Sequence, residues 1–140
     1  MAVHTHEFDI ETQGDSQVIN LSDRVAELVG SGRVRDGLVT VFVVGSTAAM
    51  TTTEFEPGLV NHDLKAAFEC FAPQDARYRH EETWNDDNGH SHVRASLVGP
   101  SLTIPLVRGT LQLGTWQQIV LLDFDTRPRS RRIIVQVMGE

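Results

Sequence analysis

The stretch "SLTIPLVRGTLQLGTW", Ser101 to Trp116, decides how the chain reads. Apolar and polar residues alternate on both sides of Arg108-Gly109, which predicts two strands folded back on each other through a tight turn. Downstream, "QQIVLLDFD" (117–125) and "RRIIVQVM" (131–138) flank an Arg/Pro/Ser turn near Thr126 and predict a second hairpin. In the first of these, Trp116 alternates with Gln118, Val120, Leu122 and Phe124, which puts the indole on a strand facing the core. Upstream, "GLVTVFVV" (37–44) is rich in β-branched residues and has the length of a buried strand. "HSHVRASL" (90–97) alternates too: His90, His92, Arg94 and Ser96 face one way, with Val93, Ala95 and Leu97 on the other.

Two segments break this pattern. In "NLSDRVAELVGSG" (20–32), Ser22 offers an N-cap, Val25, Leu28 and Val29 form an apolar face, and Gly30 or Gly32 ends the helix. After Pro57, Leu59, Val60, Leu64, Ala67, Phe68 and Phe71 recur at helical spacing until Pro73 stops the run. The expected class is α+β: a single domain over residues 1–140, a largely antiparallel sheet, and two main helices on one of its faces.

The chain has 140 residues and a formal charge of −7, a balance that repels nucleic acid, whose binding rests on clustered Lys and Arg. The basic run from Arg127 to Arg132 reads as a solvated turn. No window reaches the 18 or more apolar residues of a membrane helix and the N-terminus lacks a signal pattern, so a cytoplasmic location is expected. The single cysteine, Cys70, cannot form an internal disulfide; within "AAFECFAP" it reads as a small buried hydrophobe.

Polar chemistry concentrates in "YRHEETWNDDNGHSHVRASL" (78–97), which holds three of the six histidines. On a strand, His90 and His92 would project from one face about 7 Å apart, twice the ~3.3 Å rise. Residues 82–89 read as a loop able to bring His80, Asp86, Asp87 or Asn88 back to that face, and such a set supplies the three or four donors that zinc takes. A second polar stretch, "VVGSTAAMTTTE" (43–54), delivers Gly45-Ser46-Thr47 at a strand end, where backbone N–H groups and hydroxyls suit an anion. It lacks the lysine and spacing of a P-loop.

The blocks "SLTIPL", "GTLQLGTWQQI" and "DFDTRPR", the 78–97 segment and the strand end at 43–54 resemble the YjbQ-like family, often labelled secondary thiamine-phosphate synthase. The resemblance covers nearly the whole chain. It implies a compact α+β unit assembled as a homotrimer, with sites near subunit contacts, and a weak activity joining a pyrimidine diphosphate to a thiazole phosphate. Tyr78 and His80 match the family's Tyr-x-His, Asp87 and Asn88 its acidic/amide loop, His92 the histidine that follows, and Glu54 a glutamate after the Thr-rich segment. Many members carry His-Thr-Thr where this chain has Gly45-Ser46-Thr47, which removes one metal ligand and leaves His90 as its substitute or the site as an anion pocket.

On this resemblance, Glu54 and Asp87 hold a divalent cation, zinc or magnesium, and Ser46, Thr47, Asn88, Arg94 and Ser96 contact a phosphorylated substrate. His80 and His92 act as ligands or proton-transfer groups. Two alternatives stand beside it: a metal-dependent hydrolase using His80, His92 and a carboxylate, and a non-enzymatic trimeric binder of a small phosphorylated metabolite.

Overall fold

The computed structural model describes all residues from Met1 to Glu140. Eight strands, β1 (Ala2–Thr12), β2 (Gln17–Asn20), β3 (Gly37–Val44), β4 (Ala48–Glu54), β5 (Ser101–Val107), β6 (Thr110–Leu111), β7 (Gln117–Asp123) and β8 (Arg129–Gly139), form two antiparallel sheets. The larger has the order β1-β8-β3-β5-β6 and the smaller β2-β7-β4. Four helices accompany them: α1 (Ser22–Gly30), α2 (Leu64–Phe71, entered through a π-helical turn at Leu59–Asp63), α3 (Arg79–Trp84) and α4 (Gly89–Val98). The α+β class expected from the sequence is the one observed.

Alternation fixes the layers. Val39, Val41 and Val43 of β3 and Ile133, Val135 and Val137 of β8 meet Ile119 and Leu121 of β7, Met50 of β4, and Val25 and Val29 of α1 in one apolar cluster. The opposite face of β7, through Val120 and Leu122 and on to Phe124, packs on Phe68 of α2 and Ala95 of α4. Both faces of the small sheet are therefore covered, so β7 is buried almost without a break. The two main helices do not share one sheet face as expected: α2 lies outside the small sheet with α4, whereas α1 closes the inter-sheet core.

The Arg108-Gly109 hairpin is as expected. Both residues have positive φ (49° and 77°), the geometry whose twist matches paired strands, and Leu106 and Val107 pair with Leu111 and Thr110. The second expected hairpin is absent. β7 belongs to the small sheet and β8 to the large one, so residues 124–128 cross between layers instead of turning within one.

Trp116 does not enter the core. It sits in a turn closed by the Gln117 N–H on the Gly114 carbonyl, just before β7, and is 71% exposed. Trp116→Ala is therefore expected to leave the urea unfolding midpoint of the chain nearly unchanged, within about 0.5 kcal/mol. A loss of several kcal/mol with unchanged self-association would refute this placement.

Cys70 is also exposed rather than buried, because the buried residue of α2 is Phe68 and a position two residues on points away from it.

The outer face of the large sheet carries no helix. Val3, Met138 and Leu38 are register neighbours across β1, β8 and β3, and with Phe42, Val44 and Val107 they leave an exposed apolar face.

Candidate functional site

Residues 89–98 form helix α4, not a strand, which rearranges every side chain assigned to them. His90, Ser91, Arg94 and Ala95 are its buried stripe, a spacing of one, three and one that fits 3.6 residues per turn. His90 and His92 consequently lie on opposite sides of the helix. Gly89 opens it against Tyr78, whose Cβ would stand 2.4 Å from any β-carbon added there. The preceding segment is partly helical as well. α3 starts after the extended Tyr78, ends at Asn85 in the left-handed conformation (φ 54°), and leaves 86–88 as the link to α4.

This helix–loop–helix brings His80 against His92, ring centroids 4.5 Å apart. His80 Nε2 is 3.3 Å from Asp86 Oδ2. The Asn88 amide nitrogen, in the orientation that satisfies its neighbours, donates to Asp86 Oδ2 at 3.2 Å and to His80 Nε2 at 3.2 Å. His80 Nε2 thus has a partner in either protonation state: Asp86 accepts when the nitrogen carries a proton, and Asn88 donates when it does not. Asp87 lies on the outer side of the link, accepting from Thr126 Oγ1 at 2.7 Å, with Arg127 Nη2 3.9 Å away.

Other expected members are placed elsewhere. Arg94 is 1% exposed, and four of its five N–H donors are engaged by the Ala72 carbonyl (twice), Ser16 Oγ and Glu69 Oε1. It ties α4 to α2 and the β1–β2 loop from inside the fold. The Arg94 hydrogen bond also holds the Glu69 carboxyl below its ordinary pKa. Glu54 is exposed at the far end of β4, paired in register with Gln117; six residue steps from Ala48 put it roughly 20 Å from the strand's other end, so within one chain it stands apart from the 86–88 link.

His90 is neither a solvent-facing loop residue nor a third ligand. It is 2% exposed, its Nδ1 has no hydrogen-bond partner, and its ring lies 6.2 Å from that of Tyr78. Burial, then the Arg94 charge, push its pKa below the ordinary 6.5. The native state therefore binds fewer protons at this position than the unfolded chain, and stability is lost as pH falls through 6.5 toward the lower folded value. His90→Leu is expected to flatten the fall in urea stability as pH drops below the ordinary histidine pKa; an unchanged slope would contradict this.

Of the expected metal set, His80 and His92 come together and His90 does not. Asp86 joins the two histidines through His80, but no three His, Cys, Asp or Glu side chains of one chain are arranged around a common metal position.

Gly45, Ser46 and Thr47 connect β3 to β4 and divide between two roles. Ser46 is exposed and lines a cavity of about 190 Å³ with Gly45, Ala48, Ala95, Ser96 and Pro100. Ser96 is one turn beyond His92 on α4, and its hydroxyl donates to the His92 carbonyl at 2.7 Å. Ser46 and Ser96 therefore line one cavity. Thr47 is instead buried, donating to Asp125 Oδ2 at 2.9 Å and accepting from Arg131 Nη2 at 2.7 Å.

Thr47 belongs to an ionic network that sequence reading missed. Asp123 is 0% and Asp125 1% exposed. Arg131 donates from Nε and Nη2 to Asp123 at 2.7 and 3.0 Å, Thr12 Oγ1 to Asp123 at 2.6 Å, and Arg129 Nε to Asp125 at 3.0 Å. Burial alone would raise Asp125; hydrogen bonds from Thr47, the Thr126 N–H and Arg129 outweigh it and hold the carboxyl below its ordinary value. The run 127–132 is thus not a plain solvated turn, since Arg131 is inside. The available signal was the period-two spacing of Asp123 and Asp125 against Arg129 and Arg131.

Known proteins align with the chain over nearly its full length. The family model described as UPF0047 protein YjbQ-like matches residues 6–140. A UPF0047 protein of Methanothermobacter thermautotrophicus is 37% identical over 140 residues, covering 100% of this chain and 95% of that protein. UPF0047 protein YjbQ of Escherichia coli O157:H7 is 34% identical over 114 residues, 81% of this chain and 82% of the relative. Among solved structures, a hypothetical protein of Aeropyrum pernix K1 superposes with a TM-score of 0.90 at 31% identity, covering 98% of this chain and 99% of that one. A YbjQ-like protein of unknown function from Sulfolobus solfataricus P2 gives 0.88 at 29%, covering 99% and 100%. With motifs, length and fold all in agreement, the chain belongs to the UPF0047 (YjbQ-like) family.

Proposed function

We propose that the His80–His92 pair is the acid–base centre of a small-molecule enzyme acting on a phosphorylated substrate, with thiamine-phosphate-synthase-like condensation as its chemistry. The observation that carries this reading is the environment of His80, whose Nε2 has Asp86 as acceptor and Asn88 as donor and so takes up and gives back a proton without losing its position. In the condensation, the thiazole nitrogen forms a bond to the pyrimidine methylene carbon as the carbon–oxygen bond to diphosphate breaks. The departing oxygen takes a proton from an imidazolium. His92, one turn before Ser96 on α4, serves as that donor, and His80 beside it restores the charge state. Thr47 and Arg94, engaged in buried contacts, take no part in binding.

The uncovered apolar face of the large sheet supports self-association, and homotrimer assembly is part of the proposal. The experiment is incubation of purified protein with the pyrimidine diphosphate and the thiazole phosphate, following thiamine phosphate and diphosphate by chromatography. Equimolar appearance of both supports the reading. Release of inorganic phosphate without condensation would replace it with hydrolysis, and no turnover with saturable binding would replace it with a binding protein.

A further inference from the structure

A cavity of about 340 Å³ lies between helix α1 and the hairpin that carries Arg108 and Gly109. None of its lining residues belongs to α3 or α4, so it is separate from the histidine pair. Its α1 wall includes Asp23, Ala26 and Val29, spaced three residues apart and therefore on one side of the helix; six residue steps at ~1.5 Å each make that wall about 9 Å long. From the hairpin side, Leu111 and Leu113 complete the apolar part. Asp23 is the only charged residue in the lining; it is exposed, and its carboxylate has no ion-pair or hydrogen-bond partner. Its neighbour Arg24 is committed to Glu27 at 3.0 Å and lies 5.4 Å over the Phe8 ring. Arg35, which lies against Gly109, donates to the Arg108 carbonyl at 2.9 Å.

We propose that this cavity is a second binding site, for a small primary amine: the ammonium sits on the Asp23 carboxylate and the alkyl body lies along Ala26 and Val29 against Leu111 and Leu113. The charge balance selects the cation. The N-terminal end of α1 carries the equivalent of about half a positive charge, less than the full negative charge of Asp23. No Lys, Arg or His lines the cavity, and the formal charge of −7 draws cations to the surface and repels anions. An ammonium brings three N–H donors; besides the carboxylate, Ser22 and Thr110 line the same space and carry hydroxyl acceptors. The backbone next to Asp23 is held in place before a ligand arrives, because the Ser22 N–H donates to Asn20 Oδ1 at 2.9 Å and Ser22 Oγ accepts from the Ile119 N–H at 2.9 Å. The volume is at the small end for ligand sites, which limits the occupant to a short alkyl chain.

The test is NMR titration of the isotope-labelled full chain with n-butylammonium, n-butanol and butyrate, one alkyl body with three head groups. Saturable shifts of the Asp23, Ala26 and Leu111 amides are expected for the ammonium, with a dissociation constant in about the millimolar range, weaker ones for the alcohol and none for butyrate. Lengthening the chain from methylammonium to n-butylammonium should tighten binding about fourfold per methylene buried. Asp23→Asn should weaken n-butylammonium about tenfold, the size of one hydrogen bond to a charged group, and leave n-butanol unchanged. Ala26→Leu, which puts a good helix former at an exposed position, should fill the cavity and abolish binding of both, in a chain whose other amide resonances stay parental.

The site is overturned if the parent shows no saturable shift with n-butylammonium, if butyrate binds as tightly, or if methylammonium does. Shifts spread over acidic residues across the whole surface, as a diffuse counterion cloud produces, would overturn it too. Parental n-butylammonium binding in Asp23→Asn would remove the ammonium from that carboxylate and with it the proposal. His92→Ala should bind n-butylammonium within about twofold of the parent, because the cavity and the histidine pair share no residue; loss of binding there would show that the two are one site.

Discussion

Arg131→Met is expected to destabilise the fold by about 3–5 kcal/mol, the usual cost of removing one partner from a buried ion pair. Asp123 is fully buried and keeps only Thr12 and the Asp125 N–H once the guanidinium is gone, so a charge without a counterion remains in the interior. The position amplifies the effect. Asp123 ends β7 in the small sheet and Arg131 lies early in β8 in the large one, so their bond clamps the two layers where the chain crosses between them. Urea unfolding of Arg131→Met against the parent measures the loss. The double variant Asp123→Leu/Arg131→Met should recover much of it, because no unpaired charge is left. A single-variant loss below about 1 kcal/mol would show that water enters and screens the pair.

His92→Ala should lower turnover in the condensation assay by about 10²–10⁴-fold, the range for losing a positioned proton-transfer group. Its side chain is half-buried on the outer side of α4, so fold and melting transition should be retained. His80→Ala should fall in the same range. Asp86→Asn should cost less and shift the pH–rate profile, since it removes the acceptor of the protonated Nε2 and leaves the imidazole in place. His92→Ala with parental turnover and a parental pH profile would remove the histidine pair from the chemistry.

The helix at 89–98 shows why the site was only partly legible. Burial normally announces itself as an apolar stripe, but three of the five buried positions of α4 are His90, Ser91 and Arg94. What remained visible was an accidental alternation of polar and apolar residues, which has the period of a strand. The segment did reveal which residue types gather there, and the structure brings His80, Asp86, Asn88 and His92 together as that gathering implied. It could not reveal that His90 turns away, because direction follows from helical rather than pleated geometry. Arg94 was misassigned for the same reason.

Local chemistry in the sequence alone determined the α+β class, the β3 strand, the Arg108-Gly109 turn, the approximate extents of α1 and α2, and the family to which the motifs point. Each depends on interactions within a few residues: strand alternation, helical apolar spacing, the φ preferences of glycine and proline. Only the tertiary structure decided that β7 and β8 separate into different sheets, that Trp116 and Cys70 remain outside, and that Arg131 enters the core with Asp123. These outcomes turn on which distant surfaces compete to cover one another. A buried guanidinium and a solvated one have the same local sequence signature, and they differ only once a carboxylate from another sheet is within 2.7 Å.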